Sequence, residues 1–403
     1  MTALTRTAPR AIAWMCSAHV ASMIGFSTYA TLLPGLQREW SLNNSEAGFI
    51  GGVFFGGYMA AVPLLTSLTD RVDARRIYMV SSAATALALL GMALFAQGLA
   101  TAAALQFCAG AGIAGTYMPG LRALTDNVSG AAQSRAVSFY TAVFGFGTSL
   151  SILMAGALAH ALGWRWAFGF AALGPLVAGL MVVSGLPPRK PQHLQDSHVL
   201  DFRPVLKSRE VRAYIVGYTV HCWELFGSRS WLVAFFVFAQ GLAAAASAWS
   251  PVTIAATANL IGPAASVIGN EVAMRHGRER VIWRVMLASG LLTCVLGFAA
   301  SLPWYLLVLL AMLHLVLIMG DSSALTAGVV ARADERVRGA TMAVYSMLGF
   351  GAGFAAPLVF GIVLDLAGGN SSAAAWGFAY ASLGVGGIVT AFLIRRNAAP
   401  ARS

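Results

Sequence analysis

The sequence predicts an all-α membrane protein whose twelve transmembrane helices form two pseudo-symmetric six-helix bundles. Of the 403 residues, 58% are hydrophobic and only 10% are charged, whereas a soluble protein usually carries about 25% charged residues. Apolar runs recur along the whole chain at the length of about 20 residues that a helix needs to cross the hydrocarbon. The two halves of the chain also resemble each other in sequence.

Polar loops divide the chain into twelve apolar segments. The predicted spans are 11–35, 47–68, 77–98, 101–123, 136–161, 165–186, 211–239, 250–272, 281–300, 303–328, 339–364 and 373–394. The fourth is diluted by glycines and Pro119, but a loop of that length could not lie exposed in lipid. The N-terminal run is too long for the core of a signal peptide, so we interpret it as a retained first span.

The basic residues predict the orientation. When the polar loops are numbered alternately from the N-terminus, one set holds 23 of the 26 Lys and Arg residues. Arg38 and Arg165 lie in the other set, and Arg229 lies within a span. The positive-inside rule therefore predicts that both termini are cytoplasmic. The abundance of Arg over Lys favours a bacterial protein, which would lie in the inner membrane.

The longest polar segment, 187–210, is a predicted cytoplasmic linker between an N-terminal bundle (1–186) and a C-terminal bundle (211–403). Three stretches of the first half match the second half at offsets of 204–210 residues. They are WAFGFAALG at 166–174 with WGFAYASLG at 376–384, DRVDARRI at 70–77 with MRHGRERV at 274–281, and FGFG at 144–147 with LGFG at 348–351. Matches at nearly one offset indicate a duplicated six-helix unit.

A loop rich in acidic and basic residues follows span two, where residues 66–76 read TSLTDRVDARR, and GWRWAF at 163–168 begins span six. Twelve spans in two halves with these motifs resemble the major facilitator superfamily. Its loop signature is roughly Gly-x-Leu-Ala-Asp-Arg-x-Gly-Arg-Arg, and Thr66 and Asp73 replace its two glycines here. The resemblance implies a gate at this loop, formed by Asp70, Arg71, Arg75 and Arg76. The alternative is that these charges only orient the chain and have no partner.

Two features of the family are missing. The Arg that often occurs in span four is Gln106 here, and the Gly-Pro pair that many drug/proton antiporters carry in span five is absent. Both departures argue against a multidrug exporter.

In this family, spans one, four, seven and ten line the central cavity, and the resemblance implies the same here. Eight polar or aromatic residues on these spans are candidates for contact with the substrate or the coupling proton. They are His19, Tyr117, His221, Trp223, Glu224, Arg229, His314 and Asp321. A charge at the centre of a membrane helix costs at least about 2.5–3.5 kcal/mol, so each charged group requires a partner or water.

The spacing of these residues suggests their roles. At 1.5 Å per helical residue, Glu224 and Asp321 lie roughly 16–18 Å from the inner surface, near the midplane. A carboxyl group removed from water favours its neutral form and exchanges protons, so Glu224 or Asp321 is expected to carry a coupling proton. Arg229 keeps its charge and is expected to bind the negative end of a substrate. The other expected substrate-binding residues are His314, His19, Tyr117, Trp223 and His221.

Helical spacing also suggests contacts within each span. His221 and Glu224 are three residues apart and can touch, while His314 and Asp321 are seven apart on one helix face. An alternative role is open for Arg229, because a fixed pair with Glu224 or Asp321 would only join helices.

Together with the resemblance, these residues predict a secondary active transporter that moves a small organic anion, such as a carboxylate, by alternating access coupled to protons. The alternative within transporters is a proton-coupled efflux antiporter for drugs or metabolites. The expected partners are the anionic substrate, protons and the lipid bilayer. Nucleic acid is not expected, because the charges that give the net +11 lie in short loops, and the protein is expected to be a monomer.

A membrane enzyme or sensor is a different class that the sequence argues against. The sequence contains no HExxH motif, no nucleophile elbow and no Walker sequence. Its four cysteines lie in apolar runs without a CxxC spacing. We therefore predict no enzymatic activity, no cofactor and no metal site.

Overall fold

The structure is a computed structural model that describes residues 4–128, 131–188, 203–242, 249–334 and 337–398, and every regular element in these ranges is helical. The first helices are α1 (Leu4–Ser22), α2 (Thr28–Glu39), α3 (Asn44–Leu68), α4 (Ala74–Phe95), α5 (Leu99–Thr125), α6 (Ala131–Leu162), α7 (Trp164–Ala171) and α8 (Leu173–Gly185). The later helices are α9 (Arg203–Lys207), α10 (Arg209–Leu242), α11 (Pro251–His276), α12 (Arg278–Leu296), α13 (Trp304–Gly320), α14 (Ser322–Arg332), α15 (Arg338–Leu366) and α16 (Ala373–Ala398). A 3₁₀ turn, Gly297–Ser301, follows α12.

Eleven helical segments in the described residues are long and apolar enough to cross a membrane. They correspond to predicted spans two to twelve, which confirms an all-α membrane fold. The predicted first span, 11–35, is instead two helices, α1 and α2, separated by a turn at residues 23–27. With 12 residues, α2 is too short to cross a bilayer by itself.

The described residues belong to two compact units. The first is drawn from Met1–Leu32 and Val53–Ser197, and the second from Leu33–Gly52 and His198–Ser403. Of the predicted linker, residues 189–202 lie outside the described part of the chain. The division of the chain by this linker into bundles 1–186 and 211–403 therefore stays a prediction.

Close contacts between helices depend on glycine in both units. In the first unit, a Cβ atom on Gly110 of α5 would overlap the carbonyl group of Phe54 on α3. In the second unit, Gly290 of α12 and Gly384 of α16 approach each other in the same way. Without a hydrophobic driving force between helices in lipid, such small residues stabilise packing by letting backbones come together.

The outward surface of the helices is apolar, as a lipid-facing surface requires. Leu87 and Leu180, for example, are 68% and 70% exposed. The core of the second unit is aromatic, and its fully buried rings include Trp231, Phe235, Phe360, Trp376 and Tyr380. Helix α10 packs against α14, α15 and α16, so the side chains along its length point into this unit.

The N-terminus of α3 is held within the second unit by a carboxylate. Asp365, near the end of α15, accepts hydrogen bonds from Asn44 through its backbone N (3.0 Å) and Nδ2 (2.7 Å). It also accepts bonds from Ser45 through its backbone N (2.8 Å) and Oγ (2.6 Å). These bonds satisfy donors that a helix start leaves unpaired, and the negative charge complements the helix dipole.

Candidate functional site

The first element of the candidate site is a buried pair between His221 and Asp321. His221 lies on α10, and Asp321 is the single residue that interrupts the path from α13 into α14. His221 Nδ1 and Asp321 Oδ1 share a hydrogen bond of 2.7 Å, and each residue is only 3% exposed. The His221 ring also stacks on Tyr218. The pair joins α10 to the α13–α14 junction with a titratable group on each side.

The second element surrounds Glu224, one turn further along α10. Ser289 Oγ (2.5 Å) and Thr293 Oγ1 (2.6 Å) of α12 donate hydrogen bonds to Glu224 Oε1. His314 Nε2 of α13 lies 3.6 Å from the same oxygen. A Cβ atom on Gly387 of α16 would come within 3.1 Å of Glu224 Oε2. The carboxylate is therefore enclosed by four helices of the second unit, in contact with two hydroxyl groups and next to an imidazole.

The third element is Arg229, whose guanidinium group has no acidic partner among the described residues. Its Nη2 lies 3.8 Å from the thioether sulfur of Met319, and its Nε is buried without a hydrogen-bond partner. No carboxylate of the described residues lies within 4.0 Å of it. The fixed pair of Arg229 with Glu224 or Asp321, one alternative from the sequence, is therefore not formed. The site keeps a cation available in an apolar environment, where an uncompensated charge is costly.

The pairs differ from those that helical spacing suggested. His221 bonds to Asp321 rather than to its neighbour Glu224, and His314 lies beside Glu224 rather than beside Asp321. Each carboxylate therefore has a histidine from another helix. The sequence reasoning also missed Ser289 and Thr293. The signal for them was a pair of hydroxyl residues four apart in an apolar span.

The polar candidates of the first unit lie in an aromatic cluster. His19 of α1 is fully buried, and its ring stacks on Tyr140 with ring centres 4.4 Å apart. Tyr117 of α5 and Phe144 of α6 complete the cluster, with centres 5.4 Å and 6.3 Å from the His19 ring. His19 Nε2 is buried without a hydrogen-bond partner among the described residues. The cluster is therefore packed and mostly apolar, and it contains one ring nitrogen without a partner in the described part of the chain.

Trp223, another predicted substrate-binding residue, is half-buried on α10. Its Nε1 donates a hydrogen bond of 3.3 Å to the carbonyl of Ser382 on α16. Its polar atom thus joins two helices of the second unit.

The loop motif makes its contacts with helices of the first unit. Asp70 Oδ1 lies 3.9 Å from Arg122 Nη1 at the end of α5. Arg75 donates a hydrogen bond of 2.6 Å to the carbonyl of Val183 on α8. The other two basic residues of the motif are exposed, namely Arg71 and Arg76. The gating role of the four residues stays a prediction.

Comparison with known proteins identifies the family to which the chain belongs. The family model of the Major Facilitator Superfamily matches residues 15–349. Among curated proteins, protein spinster homolog 3 of Danio rerio is 24% identical over 57% of this chain and 48% of its own length. The probable sphingolipid transporter spinster homolog 1 of Arabidopsis thaliana is 24% identical over 39% of this chain and 32% of its own length. The chain thus matches about half or less of these relatives.

Two solved structures share the fold. One is a bacterial homologue of the human lysosomal transporter Spinster in an inward-facing, unoccupied conformation. It superposes with a TM-score of 0.74 at 14% identity, covering 97% of this chain and 95% of that one. The other is the POT family transporter PepTSo, with a TM-score of 0.76 at 13% identity, covering 97% and 98% of the two chains. At this identity the likeness shows the fold alone.

Proposed function

The chain belongs to the major facilitator superfamily, and from that premise we propose that it moves an organic anion across the membrane by alternating access, coupled to protons. Members of the family are transporters, so the chain is a multi-pass membrane transporter and not an enzyme. We further propose that it lies as a monomer in a bacterial inner membrane with both termini cytoplasmic, in accordance with its loop charges.

The observation that carries the anion proposal is the guanidinium group of Arg229, which has no acidic partner in the ranges that the structure describes. The two buried carboxylates of the same unit, Glu224 and Asp321, each have a histidine beside them, and neither lies within 4.0 Å of Arg229. Arg229 is half-buried within a membrane span, where a cation without an acidic partner is costly, and a negatively charged substrate would compensate it. A guanidinium group also fits the oxygen pair of a carboxylate with two parallel hydrogen bonds.

The two histidine–carboxylate pairs support proton coupling. Glu224 and Asp321 are both buried, and burial makes the gain or loss of a proton sensitive to any charge nearby. His221 and Asp321 share a hydrogen bond along which a proton can move, whereas His314 Nε2 lies 3.6 Å from Glu224 Oε1 without a hydrogen bond. Glu224 or Asp321 would carry the coupling proton.

A second candidate cargo is an anion with a long apolar tail. One curated relative is named a probable sphingolipid transporter. The half-buried rings of Tyr117 and Phe144 beside His19 would suit an apolar group, because aromatic side chains offer large contact areas. Export of a drug or metabolite in exchange for protons is the alternative, and flux measured in both directions detects it.

The test uses the full chain in proteoliposomes with an imposed pH gradient. Short carboxylates and long-chain alkyl carboxylates are compared as substrates, with flux measured in both directions. Loss of a charged hydrogen-bond partner costs about 1.5–3 kcal/mol, so Arg229→Gln should raise KM for the anion at least about tenfold. Arg229→Lys, the matched control, keeps the charge and should retain part of the affinity. Unchanged anion transport in Arg229→Gln, or gradient-driven flux of neutral or cationic compounds only, would contradict the proposal.

A further inference from the structure

We propose that a groove between α10 and α16 binds the headgroup of an anionic phospholipid. The site would hold the phosphodiester between Arg209, Arg212 and Arg396, with an acyl chain lying along Val216 and Leu393. This inference goes beyond transport and needs no particular substrate.

The groove lies where the start of α10 packs against the end of α16. Arg209, Arg212 and Val216 are spaced by three and four residues, so they share one face of α10. Leu393 and Arg396, three residues apart on α16, form the opposite wall. The cavity between these helices has a volume of about 380 Å³. It is large enough to take a lipid headgroup with the first part of a chain.

The groove is basic at one end and apolar at the other. Thr390 and Ile394 of α16, 3% and 5% exposed, form its buried base. Val216 and Leu393 are 42% and 47% exposed, as large apolar side chains facing lipid would be. The three arginines lie nearer the helix ends. This order along the groove matches a phospholipid, whose charged headgroup lies outside its hydrocarbon chain.

The arginines of the groove have no acidic partner in the described ranges. A contrasting arginine lies at the same end of the unit, where Arg332 pairs with Glu210 and with Glu279, the latter at 3.0 Å. Arg332 therefore has two acidic partners, while Arg209, Arg212 and Arg396 place three cations around one cavity. Basic pockets between transmembrane helices at the cytoplasmic side bind anionic headgroups. The positive-inside rule accounts for the charges but not for their arrangement around an apolar groove.

The test measures lipid retention by the full chain in detergent, by native mass spectrometry and by thermal unfolding. Phosphatidylglycerol is compared with phosphatidylcholine of the same chains and with inorganic phosphate. The double variant Arg209→Gln/Arg396→Gln is compared with Arg10→Gln/Arg275→Gln, which removes two exposed arginines outside the groove. We expect phosphatidylglycerol affinity to fall on the order of tenfold in the groove variant only.

A second variant separates the groove from its surface charge. Val216→Trp keeps the three arginines but fills the apolar end, so it should also lose phosphatidylglycerol. Equal loss in the Arg10/Arg275 control, equal retention of phosphatidylcholine, protection by inorganic phosphate as strong as by lipid, or full retention in Val216→Trp would each overturn the proposal. None of these outcomes bears on the transport of an anion through Arg229, so the two proposals fail separately.

Discussion

Two substitutions of Asp321 separate its contribution to stability from a role in carrying protons. Asp321→Asn preserves the size of the side chain and one oxygen that can accept the hydrogen bond from His221 Nδ1, but it removes the titratable group. Asp321→Ala removes both the hydrogen-bond acceptor and the titratable group. If the residue only joins α10 to the α13–α14 junction, the Asn variant should transport normally.

The magnitude follows from the geometry of the pair. The bond is 2.7 Å long, and both residues are 3% exposed, so water does not replace the lost partner. Asp321→Ala leaves a buried ring nitrogen of His221 unsatisfied, which lowers the free energy of unfolding by about 2–3 kcal/mol. Asp321→Asn lowers it by about 1 kcal/mol, because one hydrogen bond to His221 remains. At about 2–4 °C per kcal/mol for a unit of this size, the apparent Tm should fall about 4–12 °C for Ala and 2–4 °C for Asn.

The assay combines thermal unfolding in detergent, at one scan rate, with uptake into proteoliposomes. One pH unit supplies about 1.4 kcal/mol for each coupled proton, which supports about tenfold accumulation of substrate. Asp321→Asn should reduce this ratio towards one while it still exchanges substrate across the membrane without a gradient. His221→Gln keeps the carboxylate and serves as the control from the partner side.

Two results would refute this reasoning. Tenfold accumulation by Asp321→Asn would show that Asp321 carries no coupling proton and leave Glu224 to do so. Equal thermal stability of the Ala and Asn variants would show that the bond to His221 is not formed.

The remaining predictions concern the fold. Asp365→Ala removes four hydrogen bonds at the start of α3 and should lower the apparent Tm by about 4–8 °C, for a loss of about 2 kcal/mol. Asp365→Asn should lose less, and an unchanged Tm in the Ala variant would contradict the contact. Gly110→Ala should cost about 1–3 kcal/mol through overlap with the Phe54 carbonyl. Gly35→Ala, with open space around the added atom, should leave Tm unchanged, and equal effects of the two glycine variants would refute the packing argument.

The membrane fold could be predicted because its signals are local. Apolar runs mark the spans, and the loop charges mark their ends, so predicted spans two to twelve agree with helical segments of the structure. The turn at 23–27 was not predictable in this way. Its residues, MIGFS, contain neither charge nor proline, so hydropathy continues through the point where the helix is interrupted.

The contacts of the candidate site could not be predicted from the sequence, although its charged members could. Helical spacing identifies neighbours on one helix, but His221 and Asp321 are 100 residues apart, and their contact depends on how two helices are rotated against each other. Ser289 and Thr293 were missed for another reason. Hydroxyl groups in apolar helices commonly bond to the carbonyl four residues earlier, and Thr293 does reach the Ser289 carbonyl at 2.8 Å as well as Glu224.

The charges of the candidate site give a physical reason for coupling under the proposed function. With both histidines neutral, Arg229 and the two carboxylates carry one net negative charge. A bound proton makes the group neutral, and an anion at Arg229 restores a negative charge that a second proton would neutralise. At the low effective dielectric of a buried site, charges interact more strongly than in water, so the anion and the protons each favour binding of the other. Such mutual dependence is a coupling free energy and acts equally in both directions. Under the proposal, Glu224 and Asp321, each beside a histidine, would each take up one proton, while Arg229, which has no acidic partner among the described residues, would hold the anion.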